Sequence, residues 1–269
     1  MSRRPCLMVS SLEDPLAHRV EAIEIGPPGG DRDEARPFEI PPVASYAEPM
    51  LVEVWSDVVC PWCYIGKRRF ATALAELDAD PTYDTPIEVV YRAYQLDPKA
   101  PPGTAMSVPD VYARKFGSTE RAAAIIDNVT EIAAAEGLDF HLGTAVRANT
   151  RDAHRLLWYA EHHGPAGSQA DLKERLLSAY FTRGLHVGDT NVLVAEAVAA
   201  GLDADDVRHF LDSDDGRAEV EQQLAFAAEA GITAVPTYVI DGRWSIPGAQ
   251  DPDVFVQVLR RLAATERAG

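Results

Sequence analysis

The stretch VVCPWCYIGK, residues 58–67, sets Cys60 and Cys63 three positions apart with Pro61 and Trp62 between them. The preceding LVEVWSDV alternates its apolar positions and is rich in β-branched and aromatic residues, which is the pattern of a strand. Pro61 suits the first turn of a helix, where its missing N–H would have had no partner. The spacing therefore predicts a strand that gives way to a helix over 61–78, with Cys60 at the helix mouth. Further on, PIEVVYRAYQL reads as a second buried strand. Strand, helix and strand at this spacing make a βαβ unit with a parallel pair.

A helix N-terminus carries about half a positive charge and several unpaired N–H groups, and both favour a thiolate. Cys60 is the expected nucleophile. Cys63, one turn on and expected to be more buried, is placed to form or resolve a disulfide with it. The chain has one further cysteine, Cys6, which reads as a lone surface thiol. A structural zinc site wants four ligands, yet no second cysteine pair exists and the His162–His163 doublet stands apart. No metal is expected, and two inert buried cysteines would not require Pro and Trp between them. Thiol redox chemistry is the reading that remains.

Val235-Pro236-Thr237 carries the second signal. Proline inside a central strand removes a ladder N–H, so Pro236 fits best at a strand opening with the Val235–Pro236 bond cis. Such a loop beside Cys60 would offer main-chain groups to an extended peptide held there as a mixed disulfide. A plain trans proline at a strand start is the alternative.

The rest of the chain falls into blocks. Residues 1–49 are dense in Pro, Gly and charge without a sustained period, and read as a poorly ordered extension. Met50 is then either the translational start or the first residue after a flexible tail. Residues 50–103 and 231–269 hold the strand signals, including VPTYVI, an Asp241-Gly242 turn, RWSI and a closing helix. Residues 104–230 between them are helical, with apolar stripes at three- and four-residue spacing and glycines as stops. The stripes that include Leu156, Leu157, Leu176 and Leu177 are expected to be core.

Asp plus Glu number 42 against 25 Lys plus Arg, a net charge of −17 that argues against nucleic-acid and anionic-membrane partners. No apolar run approaches the roughly 20 residues of a membrane span. Arg3 and Arg4 suggest a twin-arginine export signal, but Ser10, Ser11, Glu13 and Asp14 cut short the apolar stretch such a signal needs. A cytoplasmic setting is expected, where a cysteine pair is catalytic more often than structural.

At these residues the sequence resembles the DsbA-like thioredoxin-fold oxidoreductases, in particular the FrnE-like branch. The matching stretches are WSDVVCPWCYIGKRRF (55–70), ANTRDAHRLLWYA (148–160), AYFTRGLHVGD (179–189), GITAVPTYVI (231–240) and PGAQ (247–250). The resemblance implies an α/β, thioredoxin-like fold with a large all-helical domain inserted. It implies that Cys60 is the exposed nucleophile, Cys63 the resolving thiol and Pro236 the family's cis-proline. Some members carry a second cysteine pair near the C-terminus, which this chain lacks. Four further matched residues are candidates for substrate binding or tuning. Asp57 is a carboxylate near the thiol or a strand terminator, and Trp62 an aromatic surface for substrate. Asn149 and His154 line the cleft, or serve as a helix cap and a satisfied core histidine.

The function expected is thiol–disulfide exchange or isomerisation through Cys60, acting on polypeptide or small-molecule thiols. The dithiol itself carries two electrons, so no cofactor is required, although glutathione is a possible redox partner. Two alternatives stand beside it. One is a glutathione-dependent kappa-class transferase or 2-hydroxychromene-2-carboxylate isomerase, whose members generally lack the second cysteine. The other is a non-enzymatic, chaperone-like binder of polypeptides.

Overall fold

The computed structural model describes residues 23–24, 49–103 and 106–266. A central strand, β2 (Met50–Ser56), runs into helix α1 (Pro61–Ala79) and then into β3 (Ile87–Ala93). β2 and β3 pair in parallel from Met50↔Ile87 to Ser56↔Ala93, as the βαβ reading requires. On its other side β2 pairs antiparallel with β4 (Thr237–Ile240), which turns back into β5 (Trp244–Pro247). The turn is the Asp241-Gly242 dipeptide, with φ of +49° and +64°. Both lie in the left-handed region that tight hairpin turns favour, and the Arg243 N–H donates to the Ile240 carbonyl at 3.0 Å; because Ile240 pairs with Trp244, the loop holds three residues, one more than the dipeptide alone. The Asp241 carboxylate also accepts the Leu51 N–H at 2.8 Å, which ties the hairpin to the central strand.

A two-residue strand, β1 (Ile23–Glu24), pairs antiparallel with β5 at the outer edge, so the sheet order is β1-β5-β4-β2-β3. This is one exception to the reading of residues 1–49 as an unstructured extension. Residues 1–22 and 25–48, Cys6 among them, lie outside the described residues.

Among the described residues, seven helices stand between β3 and β4: α2 (Val108–Phe116), α3 (Thr119–Ala135), α4 (Arg151–His163), α5 (Ser168–Phe181), α6 (Thr190–Ala199), α7 (Ala204–Asp212) and α8 (Arg217–Glu229). The closing helix is α9 (Pro252–Glu266). The sequence reads as further helix from 203 to 231, but the structure breaks it at Gly216. There φ is +71°, and a Cβ would sit 2.8 Å from the Phe210 ring. Arg155, buried in α4, holds the break by donating to the carbonyls of Phe210, Ser213 and Asp215 at 2.7–3.0 Å.

Three apolar clusters follow from this layout. One lies within the helices and contains Leu156, Leu157, Leu176 and Leu177, as their spacing predicts. A second lies between the sheet and helices α1 and α9, around Phe70, Tyr238 and Phe255. The third and smallest gathers Cys60, Cys63, Trp55, Val235 and Val239 with Ala227 of α8.

The seam between helices and sheet is polar and specific. Gln169 of α5 both accepts the Tyr91 N–H at 2.9 Å and donates to the Tyr91 carbonyl at 3.0 Å, and Gln223 of α8 accepts the Ala93 N–H at 2.8 Å. The free edge of β3 is thereby satisfied by side chains, which blocks strand addition there. From α1, Lys67 and Arg68 both reach Glu174 of α5, and Arg69 reaches Glu136 after α3.

Candidate active site

Cys60 is the N-cap of α1, with extended backbone at φ −93° and ψ +115°. Pro61, Trp62 and Cys63 form the first turn, and the Cys63 and Tyr64 N–H groups donate to the Cys60 carbonyl at 3.0 and 3.4 Å. Both cysteines are free thiols. The Val235–Pro236 peptide is cis, and β4 begins only at Thr237, after the residue that lacks an N–H. The Val235 carbonyl lies 3.6 Å from the Cys60 sulfur, a weak S–H···O contact, while the Pro236 carbonyl accepts the Gly248 N–H at 2.7 Å.

Close approach of α1 to this loop depends on Gly66. A Cβ at that position would sit 2.8 Å from the Tyr238 hydroxyl and 2.9 Å from the Pro236 ring. The helix bearing the dithiol can lie against the loop only because residue 66 has no side chain.

Cys60 does not stand exposed, as the resemblance had implied. It is 4 % exposed and Cys63 3 %, so burial does not separate the two thiols. The covering comes partly from the helical insertion. Ala227 of α8 packs in one cluster with both cysteines. Burial, and after it the charge of Cys60, pushes the Tyr112 phenol up to about 12. The Cys63 thiol is raised well above the ordinary range, first by burial and then by the hydrogen bond and charge of Cys60. Its thiol therefore needs help to ionise at neutral pH.

Asp57 is fully buried beneath the dithiol. One carboxylate oxygen lies 3.2 Å from His154 Nε2 of α4, and the other accepts the Leu96 N–H at 2.8 Å. Asp57 and His154 are thus brought together, and the histidine serves the site's carboxylate rather than general packing. Asn149 is not brought to the thiols. Its amide donates to the Ala100 carbonyl at 2.8 Å and accepts the Arg151 N–H at 3.0 Å, so it ties the residue-100 loop to the first residue of α4, whose N-cap is Thr150. Trp62 is 41 % exposed and presents its ring to solvent beside the dithiol.

The residue that sequence reasoning missed is Lys173 of α5. It is 1 % exposed, and its ammonium has no hydrogen-bond partner among the described residues. It stands 5.7 Å above the Tyr91 ring. Burial lowers it to about 8, opposed by the charges of Cys63, Asp57 and Cys60. A signal was present: Lys173 interrupts the apolar stripe of Leu172, Leu176 and Leu177.

Among the described residues there is no group of three or more His, Cys, Asp and Glu able to hold a metal ion, and no helix long and apolar enough to cross a membrane.

A strand-to-helix dithiol facing a cis-proline loop defines a thioredoxin-type redox centre, and the comparisons with known proteins agree. Residues 51–260 match the model of the DSBA-like thioredoxin domain, and the chain belongs to that family of thiol oxidoreductases. Its structure superposes on that of a probable DsbA oxidoreductase from Streptomyces coelicolor with a TM-score of 0.72 and 39% identity, covering 81% of this chain and 91% of that one. The uncharacterized protein YwbO of Bacillus subtilis is 27% identical over 210 residues, 77% of this chain and 94% of YwbO. A 2-hydroxychromene-2-carboxylate isomerase shares the fold at a TM-score of 0.57 and 14% identity, covering 81% of this chain and 98% of its own.

Proposed function

We propose that this protein exchanges disulfides through Cys60, with Cys63 as the resolving thiol, on polypeptide or small-molecule substrates in the cytoplasm. The observation that carries the reading is two free thiols one turn apart at the mouth of α1, with the Val235 carbonyl 3.6 Å from the first sulfur. The Cys60 thiolate attacks a substrate disulfide, one substrate sulfur leaves as a thiolate, and a mixed disulfide remains. Cys63 then attacks Cys60, the second substrate sulfur leaves, and the electron pair lost by the dithiol has reduced the substrate. The reverse sequence oxidises a dithiol substrate.

Pro61 sets the first turn of α1, Trp62 offers substrate an apolar face, and the Val235–Pro236 loop supplies an acceptor for an extended chain. Asp57 and His154 form the polar floor. No organic cofactor or metal enters these steps, and glutathione serves as a redox partner. The net charge of −17 sets nucleic acid aside as a partner. Within its family we place the chain in the FrnE-like branch, on the five matched stretches. An intact second thiol separates it from the transferase and isomerase reading.

The test is equilibration in graded glutathione buffers with the Cys60–Cys63 disulfide quantified by mass. A potential near about −120 mV marks an oxidant and one near about −270 mV a reductant. Absence of that disulfide at every ratio refutes the dithiol mechanism. Cys60→Ser should abolish exchange, whereas Cys63→Ser should accumulate mixed disulfides.

A further inference from the structure

Lys173 comes from the helical insertion, yet it is buried against the sheet, with its ammonium over the ring of Tyr91 of β3. Tyr64, which follows Cys63 on α1, donates its hydroxyl to Glu174, which follows Lys173 on α5, at 2.8 Å. Gln169, one turn before Lys173, is bonded to both main-chain groups of Tyr91. These contacts fix α5 against α1 and β3, and turn Lys173 inward where Glu174 turns outward.

A buried ammonium without a hydrogen-bond partner is strongly unfavourable unless charge nearby compensates it. The charged and titratable groups near enough to act on Lys173 are Cys63 and Lys67 of α1, its N-cap Cys60 and Asp57 after β2, and the Tyr91 ring of β3 lies against it. Of these, Asp57 adds negative charge across space, but both its oxygens are taken by His154 and Leu96 and neither bonds Lys173. Lys67 is a second cation, but it is committed to Glu174 at the seam. Once Cys60 is held in a mixed disulfide it carries no charge, so at that stage the anion that forms near Lys173 is the thiolate of Cys63.

We infer that Lys173 is the counter-charge for the resolving thiol: its buried ammonium stabilises the Cys63 thiolate as that thiolate attacks the Cys60 mixed disulfide. The inference rests on the dithiol reading above. In the step, Cys63 gives its proton to solvent base and its sulfur bonds to Cys60. The Cys60–partner bond breaks, and the partner sulfur departs with the electron pair. Lys173 makes and breaks no bond. Its charge offsets the negative charge that burial would otherwise penalise on Cys63, so the insertion takes part in the chemistry as well as covering it.

The experiment is a single turnover of the reduced protein with the coloured aryl disulfide dithiobis-nitrobenzoate, in a Cys6→Ser background so that two thiols report. The first release of coloured thiolate reports attack by Cys60, and the second reports resolution by Cys63. In Lys173→Met the second release is expected to slow about tenfold at neutral pH, with its pH midpoint about one unit higher, while the first stays within about threefold. Lys173→Gln, also uncharged, is expected to behave in the same way. A second release with unchanged rate and midpoint in both variants overturns the proposal. So does an equal fall in both releases with a lowered Tm, since that is what a packing role alone would give. If the unsubstituted protein shows no second release, the dithiol reading fails and the inference falls with it.

Discussion

The two sides of the dithiol are made of different material. On the sheet side the site is main chain: the N-terminus of α1, the Val235 carbonyl, and a loop that α1 approaches through Gly66. On the helical side it is side chains: His154 from α4, Lys173 from α5 and Tyr112 from α2. A βαβ frame closed by a hairpin places backbone atoms through its topology alone. Helices packed across a seam instead deliver long ionisable side chains that are already desolvated, and desolvation is what moves a pKa far from its ordinary value. The frame thus positions the sulfurs, and the insertion sets the charge around them.

Three substitutions would sharpen or break that division. Leu176→Ala opens a cavity in the cluster of the insertion, where the residue is fully buried, and should cost about 3 kcal/mol. If the two regions fold as one unit, calorimetry will show a single transition moved down. Two transitions, with only the lower one shifted, would show the insertion to be an independent domain. Gly66→Ala acts on the sheet side. Its Cβ meets Tyr238 and Pro236 inside contact distance, so α1 must move off the loop at about 2 kcal/mol. Attack by Cys60 on an aryl disulfide should slow with it, and an unchanged rate would show that the loop contact is not needed for the first step. Gln169→Ala acts on the seam. It leaves both main-chain groups of Tyr91 without their partner and should cost about 1 kcal/mol in urea unfolding. The freed β3 edge should also promote association at high concentration, and a strictly monomer-like sedimentation profile equal to that of the parent would argue against edge protection.

Much of the sheet side was legible in advance. Cys60, Pro61 and Cys63 could be set at a helix mouth because a strand pattern runs directly into a helical one, and each of those signals is local. Pro236 could be set at a strand opening for the same reason, since a missing N–H excludes it from the ladder. The helical side was legible only as core. The stripe of Leu156, Leu157, Leu176 and Leu177 announced burial, and burial was found. What the stripe faced was not written in it. His154 looked as much like a satisfied core histidine as a group of the site, and its bond to Asp57 spans 97 residues. Asn149, matched just as well, proved to bond the Arg151 N–H at the start of α4 and the Ala100 carbonyl. The exposure expected for Cys60 failed because residues more than 160 positions on, Ala227 of α8 with Ile232, Val235 and Val239, pack around it.

By itself, then, the sequence determined the βαβ unit, the hairpin at Asp241-Gly242, the helical character of the insertion and the identity of the two thiols. All of these depend on spacing within a dozen residues or on a backbone preference carried by one residue type. Only the tertiary structure decided how deeply the thiols are buried, which carboxylate and histidine join each other beside them, and that a buried lysine of α5 has no hydrogen-bond partner among the described residues. Those depend on which helix face meets which edge of the sheet. Long-range packing sets that meeting, and no local pattern encodes it.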